Sequence, residues 1–465
     1  DNLKYSNTET TDSNAYSPGR YNGQGIAIGY KSDANTAGIS LGNSATSKYG
    51  ALALGNFAKA EGDTSTAIGI GAYASGDRAI SMGRQASATT ADSVAIGTGA
   101  RGGASSAGGS VAVGGGAAAT GTQAIAIGGL YGNDLYSSSA TKDGAGNLTK
   151  NTQASGEASI ALGVNTKATG KQALAMGSDA QAKEEASIAL GVNAVSENGI
   201  AIGKDSTSGK DASVSVGLGA NSNAGGIAVG KNAKSKSATS IGIGEGAIAN
   251  ANSVVIGTNT NSGTGTKSVL IGDGSSVGTP TPGLAGNATG VISIGQNAGK
   301  DSAGPNLMST INLGSNTKVG DAARTTGKVA QSIAIGSGNS PGQGAWARGD
   351  QSISIGSDTE STGDSSIAIG GDDLVNVSKA SSSYSEAKFD KNGNPIGGSS
   401  TQTANINNIF SKLTGRGAIL AGGTGTDGRT YDKYSGTKSG QGAVALGVKA
   451  QSGDIALAIG TMSEA

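Results

Sequence analysis

The sequence predicts an all-β fold, a parallel β-roll in which short strands stack as successive coils of a solenoid. A four-residue unit of aliphatic, small, aliphatic and glycine residues recurs about two dozen times in the 465 residues, and neighbouring copies are about 14 residues apart. Side chains alternate with a period of two residues on both sides of this glycine, which is typical of strands and not of helices. The length of the repeat is therefore that of one coil containing two strands.

The first strand of each coil is the repeating unit itself, as in Ile26–Gly29 and Leu457–Gly460. Because side chains alternate along a strand, both aliphatic residues point one way and the small residue points the other way. We expect the aliphatic pair to fill the interior and the small residue to lie on the outer face. Outer residues that are uniformly small favour close lateral packing, so Ala161, Ala189 and Ala201 are predicted to contact a neighbouring chain.

The glycine that ends the unit predicts a turn with a positive φ angle, which other residues resist. A second strand of alternating small residues follows, as in Ser178–Ala182, and a turn rich in glycine and charge leads to the next coil. The predicted structural turn glycines are Gly29, Gly42, Gly55, Gly97, Gly128, Gly163, Gly177, Gly191, Gly203, Gly336, Gly370, Gly447 and Gly460.

Breaks in the period divide the chain. We predict an N-terminal lead-in over 1–22, roll repeats over 23–370 with an insertion at 129–156, a long insertion over 371–440, and final repeats over 441–465. Each of the two insertions contains a turn-rich segment, 142–147 and 390–395, that predicts a hairpin tip.

The composition excludes several classes of site. The chain has 83 Gly but no Cys and no His, so disulfides, Cys/His zinc sites and imidazole-based triads cannot form. Lys and Arg number 33, as do Asp and Glu, and general nucleic-acid binding needs a basic excess. The chain contains no apolar run of about 18 residues, and its start lacks the apolar region of a signal peptide. We expect a mature fragment without its targeting and anchoring segments.

No catalytic, cofactor or metal site is expected. The dinucleotide-like segment Gly217–Gly219 is a chance match among so many glycines. Residues 390–394 resemble the start of a calcium loop, but Pro395 stands where that loop needs glycine, which favours a hairpin turn. Asp372 and Asp373 are adjacent and would point apart in a strand, so they make a poor acid–base pair.

The repeat resembles the head of trimeric autotransporter adhesins of the Yersinia adhesin A type, whose motif reads roughly S-V-A-I-G-x-x-A-x-A. Matching segments include Ser93–Gly97, Ser187–Ala194 and Ser332–Gly336, and the resemblance covers about 23–370 and 440–460. It implies a left-handed roll, a homotrimer, and a place at the outer end of a fibre on a Gram-negative cell surface. It also implies attachment to host extracellular matrix, host cells or other bacteria. Membrane anchoring would use a stalk and a barrel that this chain does not include.

Five residues are candidate ligand contacts: Trp346, Arg416, Arg429, Tyr431 and Tyr434. Trp346 is the only Trp and could anchor a ligand. A lone Trp in an insertion more often packs that loop against its own roll. The other four lie in 371–440, which could either recognise a partner or clasp neighbouring chains.

Three rival functions are weighed against an adhesive head. An acyltransferase built on hexapeptide repeats would have a shorter period and typically a His base. An ice-binding solenoid needs a flat array of Thr, whereas the residues that follow the turn glycines are mixed, as in Tyr30-Lys31 and Asn56-Phe57. A structural spacer that presents another adhesive domain is the main alternative. We therefore expect an adhesin and not an enzyme.

Overall fold

The computed structural model describes residues 20–21, 24–103, 108–130, 150–223, 225–263, 265–280, 288–304, 307–324, 328–340, 343–371, 381–386, 400–405, 423–424, 430–431, 436–461 and 463–465. Every regular element in these residues is a β-strand. The chain forms two compact units, Asp1–Gly246 (unit 1) and Ala247–Ala465 (unit 2).

In unit 1 the repeating unit forms strands of three or four residues, which we call aliphatic strands. They are Ile26–Ile28, Ile39–Leu41, Leu52–Leu54, Thr66–Ile68, Ile80–Met82, Val94–Ile96, Val111–Val113, Ile125–Ile127, Ile160–Leu162, Leu174–Met176, Ile188–Leu190, Gly199–Ile202, Ser213–Val216, Ile227–Val229 and Ile241–Ile243.

A two-residue strand, the short strand, follows each turn glycine. The short strands of unit 1 are Arg20–Tyr21, Asp33–Ala34, Thr46–Ser47, Lys59–Ala60, Tyr73–Ala74, Ser87–Ala88, Arg101–Gly102, Ala118–Ala119, Gln153–Ala154, Lys167–Ala168, Gln181–Ala182, Val195–Ser196, Thr207–Ser208, Asn221–Ser222 and Lys234–Ser235.

Every strand of unit 1 pairs in parallel with the same strand of the adjacent coil. Leu174 lies opposite Ile188 in the aliphatic ladder, and Lys167 lies opposite Gln181 in the ladder of short strands. This register confirms the predicted parallel solenoid with about 14 residues in each coil.

Unit 2 repeats this plan with longer coils. Its aliphatic strands are Val254–Ile256, Val269–Ile271, Ile292–Ile294, Ile311–Leu313, Ile333–Ile335, Ile353–Ile355, Ile367–Ile369, Val444–Leu446 and Leu457–Ile459. Its two-residue strands in the roll are Ile248–Ala249, Thr279–Pro280, Ala303–Gly304, Leu307–Met308, Lys318–Val319, Val329–Ala330, Trp346–Ala347, Glu360–Ser361, Lys438–Ser439 and Gln451–Ser452. The strands of the long insertion are Ser381–Glu386, Ser400–Asn405, Gly423–Thr424 and Thr430–Tyr431.

Small residues fill the interior of unit 1, and this contradicts the predicted orientation of the strands. Ala161, Ala189 and Ala201 are fully buried inside their own chain, whereas the aliphatic side chains next to them point outward. Ala189 shares one core cluster with Ala182 of the short strands, so two columns of small residues face each other. The predicted contact of these alanines with a neighbouring chain is therefore wrong. A 14-residue coil leaves room only for small side chains between its two sheets.

The interior of unit 2 accepts some larger side chains. Val255 and Leu270 occupy the position that corresponds to Ala189, and both are fully buried. The aliphatic strands at Val269 and Ile292 are paired although 23 residues separate them. Ser293 lies opposite Leu270 in the same ladder and is small although its coil is also long, so coil length alone does not set the size of the interior residue.

The roll resumes earlier after the first insertion than the sequence predicts. Residues 153–154, assigned to the insertion at 129–156, pair with Lys167–Ala168 as a regular short strand. The Thr152 hydroxyl donates to the carbonyl oxygens of Gly129 and Gly163. This clamp fixes the corner where the chain leaves the roll and returns to it.

The second insertion ends in the same way. Residues 438–439, assigned to the insertion at 371–440, pair with Gln451–Ser452. The Thr437 hydroxyl donates to the carbonyl oxygens of Gly371 and Gly447. At the other end of the chain, residues 20–21 of the predicted lead-in already pair with Asp33–Ala34.

Candidate functional site

The two residues that flank the buried small residue of each aliphatic strand, mostly aliphatic, form two outward columns, which we call the aliphatic stripe. Their side chains are substantially exposed, with 45% for Met176 and 37% for Ile202. Strands in a sheet lie about 4.8 Å apart, so the stripe of unit 1 extends for roughly 65 Å. Soluble monomers rarely expose a continuous apolar patch larger than a few hundred Å². The stripe is therefore unusually large for an exposed apolar surface.

The opposite outer face of unit 1 has a different character. Its outward positions are the first residues of the short strands, and these are mostly polar, as in Lys59, Ser87 and Gln181. Tyr73 on this face donates from its hydroxyl to the Glu61 carboxylate at 3.0 Å. Unit 1 thus has one apolar and one mostly polar outer face.

The predicted turn glycines allow the coils to stack closely. All of them except Gly370 have φ angles between +117° and +159°. A Cβ atom added to Gly177 would lie 2.5 Å from the carbonyl oxygen of Gly191, and one added to Gly370 would lie 2.2 Å from that of Gly447. A larger residue at these positions, except at Gly460, would force successive coils apart.

Trp346 lies in a strand of the roll in unit 2, where it is half-buried against its own chain. The indole Nε1 donates to the carbonyl oxygen of Gly320 at 2.6 Å. The Lys318 ammonium lies 3.4 Å from the ring centroid, and the Arg348 guanidinium lies 4.4 Å from it. Cations at these distances are attracted by the ring electrons. These contacts match the alternative in which Trp346 packs against its own roll.

Arg348 extends this cluster into a network of charges. It bonds to Asp321, and its Nη1 lies 2.7 Å from Glu360 Oε1. The Lys438 ammonium lies 3.0 Å from the other oxygen of Glu360. Burial opposes ionisation of Glu360, but the hydrogen bonds from Arg348 and Lys438 outweigh it and hold the pKa of Glu360 below its ordinary value. The network links segments that insertions separate in the sequence. A ligand contact of Trp346 stays a prediction.

With the geometry described, comparison with known families identifies the repeats. The family described as the YadA head domain repeat (two copies) matches residues 47–72, 74–100, 105–130, 154–180, 168–194 and 342–372. The chain carries YadA head domain repeats. They are typical of trimeric autotransporter adhesin-type surface proteins, as the sequence resemblance implied. No curated protein matches the chain.

The remaining candidate contacts of this YadA-like head lie in the long insertion. Arg416, Arg429 and Tyr434 are outside the described residues, and Tyr431 lies in a strand that pairs antiparallel with Gly423–Thr424. The predicted hairpin tips at 142–147 and 390–395 are also outside them, as are Asp372 and Asp373. The strands that flank 390–395, Ser381–Glu386 and Ser400–Asn405, pair antiparallel as a hairpin requires.

Two findings concern the described part of the YadA-like head only. No group of three or more Asp, Glu, His or Cys residues there could hold a metal ion. No helix there is long and apolar enough to cross a membrane.

Sequence reasoning missed the aliphatic stripe as a contact surface because it placed the aliphatic residues inside. The sequence of the short strand could have indicated the correct orientation. Ala58 and Ala60 are small residues of one parity, and they face the small residues of the first strand. Small residues on the facing sides of both strands indicate a narrow interior, which leaves the aliphatic residues outside.

Proposed function

We propose that this YadA-like head is the adhesive end of a bacterial surface fibre. It works as a homotrimer of left-handed rolls, projects from the Gram-negative outer membrane, and attaches to host extracellular matrix, host cells or other bacteria. The observation that supports assembly is the aliphatic stripe. The proposal includes no catalytic step, and the absence of His and Cys from the sequence supports this.

The size of the stripe suits an interface between chains. With two columns of side chains it is about 10 Å wide, so the roughly 65 Å of unit 1 offer on the order of 650 Å² per chain. Stable protein interfaces bury about 800 Å² per partner. Unit 1 alone therefore supplies most of the apolar area that a lasting contact requires.

Assembly is tested by placing a charge in the stripe. In the Ile202→Asp protein we expect mainly monomers by native mass spectrometry, because the trimer would bury an unpaired carboxylate. Strand content by circular dichroism should persist, since Ile202 points outward. Thr207→Asp, on the polar face of the same coil, is the matched control and should remain trimeric. A trimer of Ile202→Asp with native stability would show that the stripe is not the interface.

Adhesion is tested on the intact trimer and on a shortened one. Immobilised collagens, fibronectin, laminin, host cells and bacteria are presented to both proteins. In the shortened protein a brief turn replaces 372–435, and Gly371, Gly436 and Thr437 remain so that the clamp still closes the coil. Loss of adhesion would assign binding to the long insertion, and full adhesion would assign it to the coils or to the first insertion. A native trimer that binds none of these surfaces would favour the spacer function.

A further inference from the structure

One row of residues in unit 1 lies at the corner just after the turn glycines. We give the name corner row to six consecutive members of it: Val164, Ser178, Val192, Lys204, Leu218 and Lys231. Backbone hydrogen bonds stack its members one per coil. The amide of Asp179, which follows Ser178, donates to the Val164 carbonyl at 3.0 Å, and the amide of Asp205 donates to the Val192 carbonyl at 2.9 Å.

The corner row alternates between apolar and polar residues. Val164, Val192 and Leu218 are 37%, 44% and 45% exposed, and a polar residue separates each from the next. Turns in proteins favour small and polar residues, so valine and leucine at such a corner need a reason. With coils about 4.8 Å apart, the apolar members recur about every 9.6 Å.

Two of the three polar members, Lys204 and Lys231, carry a charge that is exposed to water. Lys204 lies 3.9 Å from its neighbour Asp205, and Lys231 lies 2.9 Å from Glu245. The Lys204 and Lys231 side chains are 64% and 54% exposed. Burying such ammonium groups away from water would be unfavourable unless new hydrogen-bond or ionic partners replaced the water.

The corner row borders the aliphatic stripe. Each member follows the last residue of an aliphatic strand by two positions, as Val192 follows Leu190. Two residues span at most about 7 Å, so the row lies along the edge of the stripe. The stripe itself repeats in every coil. Two stripes therefore fit almost equally well after a shift of one coil, and the stripe alone leaves their register weakly specified.

We propose that the corner row forms the margin of the contact between copies of this chain and fixes their axial register. This rests on the proposed trimer. In the native register the neighbouring copy covers Val164, Val192 and Leu218 and leaves the lysines in water. A shift of one coil brings Lys204 and Lys231 under the surface that had covered valine and leucine. The row thus disfavours the shifted assembly as well as favouring the correct one.

The register is measured by distances between labelled chains. The sequence has no cysteine, so Gln123→Cys gives one labelling site per chain, on an exposed corner away from the row. Pulsed electron spin resonance of the labelled full-length chain should give a single distance between chains. The same chain with Ser178→Val, Lys204→Val and Lys231→Val has a uniformly apolar row and should show additional distances from shifted assemblies. A single unchanged distance in that variant would overturn the proposal.

A matched control places the same residue on the other face of the same coils. Gln181→Val, Thr207→Val and Lys234→Val lie on the short strands and should leave the single distance unchanged. Additional distances in this control would show that added valines disturb assembly from any position, which also overturns the proposal.

A second readout is the strength of association. Loss of two partly buried apolar side chains in Val192→Ser with Leu218→Ser should weaken the trimer about tenfold by concentration-dependent native mass spectrometry. Val195→Ser, in the short strand of the same coil, should leave it unchanged. If the double variant associates like the native chain while Ile202→Asp dissociates, the proposed trimer stands and the role of the corner row fails. A monomeric native chain would overturn both.

Discussion

A leucine at Ala189 tests the interior of the roll directly. Ala189 is fully buried, its ladder neighbours are Ala175 and Ala201, and Ala182 of the facing sheet belongs to the same cluster. Replacing a methyl group by an isobutyl group therefore requires the two sheets to separate. Overpacking of a core usually costs about 1–3 kcal/mol, and we expect about 3 kcal/mol because both ladders hold the backbone in place.

Serine at the same position should be tolerated. Ser215 occupies the equivalent position in its own coil, and its hydroxyl donates to the Thr207 carbonyl at 2.6 Å. The corresponding carbonyl for residue 189 is that of Gln181. We expect Ala189→Ser to change the free energy of unfolding by less than about 1 kcal/mol, since the new hydroxyl gains a partner.

The assay is guanidinium unfolding followed by circular dichroism, with native mass spectrometry of each variant before denaturant is added. Ala189→Leu should unfold at a clearly lower guanidinium concentration, and Ala189→Ser should unfold close to the native protein. Folded, stable monomers of Ala189→Leu would refute the reasoning, because they would mean that residue 189 faces another chain. Native stability of Ala189→Leu would equally refute it.

Three further outcomes follow from the turns and the charge network. Gly191→Ala should lower the free energy of unfolding by at least about 2 kcal/mol, because its φ is +135° and its Cβ would lie 2.6 Å from the Gly203 carbonyl; an unchanged guanidinium midpoint would contradict this. Thr64→Asn should raise that midpoint slightly, since Thr64 has φ +54° and branched residues strain this conformation more than asparagine does; a lower midpoint would argue against strain at that corner. The pKa of Glu360 is lowered in the folded state, so its stabilising effect is present above the ordinary value of 4.5 and is lost as the pH falls through the lowered pKa. The melting temperature of the native chain should therefore fall more steeply than that of Glu360→Gln in this acidic range, and parallel curves would show that Glu360 adds nothing.

Local periodicity was enough to predict the strands, their parallel stacking and the turn glycines. The unit of two aliphatic residues around a small one defines a strand of alternating parity, and the 14-residue spacing defines a coil. Each of these features depends on residues that are close in sequence, so it can be predicted from the sequence alone. The coil that begins at Ile188 shows this, because its aliphatic strand ends at Leu190 and its turn begins at Gly191, as predicted.

Parity alone could not decide which side of a strand lies inside. That choice depends on the volume between two sheets, which is a property of the closed coil and not of one strand. Aliphatic residues usually favour the interior. Here the coil is too narrow for them, so Ala189 lies inside and Leu190 outside.

Two other features escaped prediction for related reasons. Phe57 and Thr64 adopt left-handed backbone conformations, which glycine and asparagine adopt more readily. Their residue types therefore did not predict these turns. The cluster around Trp346 and Glu360 is assembled from strands far apart in the chain: Lys318 lies against Trp346, and Lys438, after the long insertion, lies against Glu360. No local sequence pattern predicts these contacts, because they depend on how strands on either side of an insertion pair with each other.

Because small residues lie inside the coil and aliphatic residues outside, the roll can have a uniform interior and a variable outer surface. The interior positions and turn glycines set the size and spacing of each coil, so change at Ala189 or Gly191 is penalised for steric reasons. The outward positions escape that constraint. Outward positions are mostly aliphatic in the stripe and mostly polar in the short strands, and they alternate between apolar and polar residues in the corner row. In the proposed adhesive head, recognition would therefore use outward residues and the insertions clamped at the corners, and the repeating core sets the positions of both.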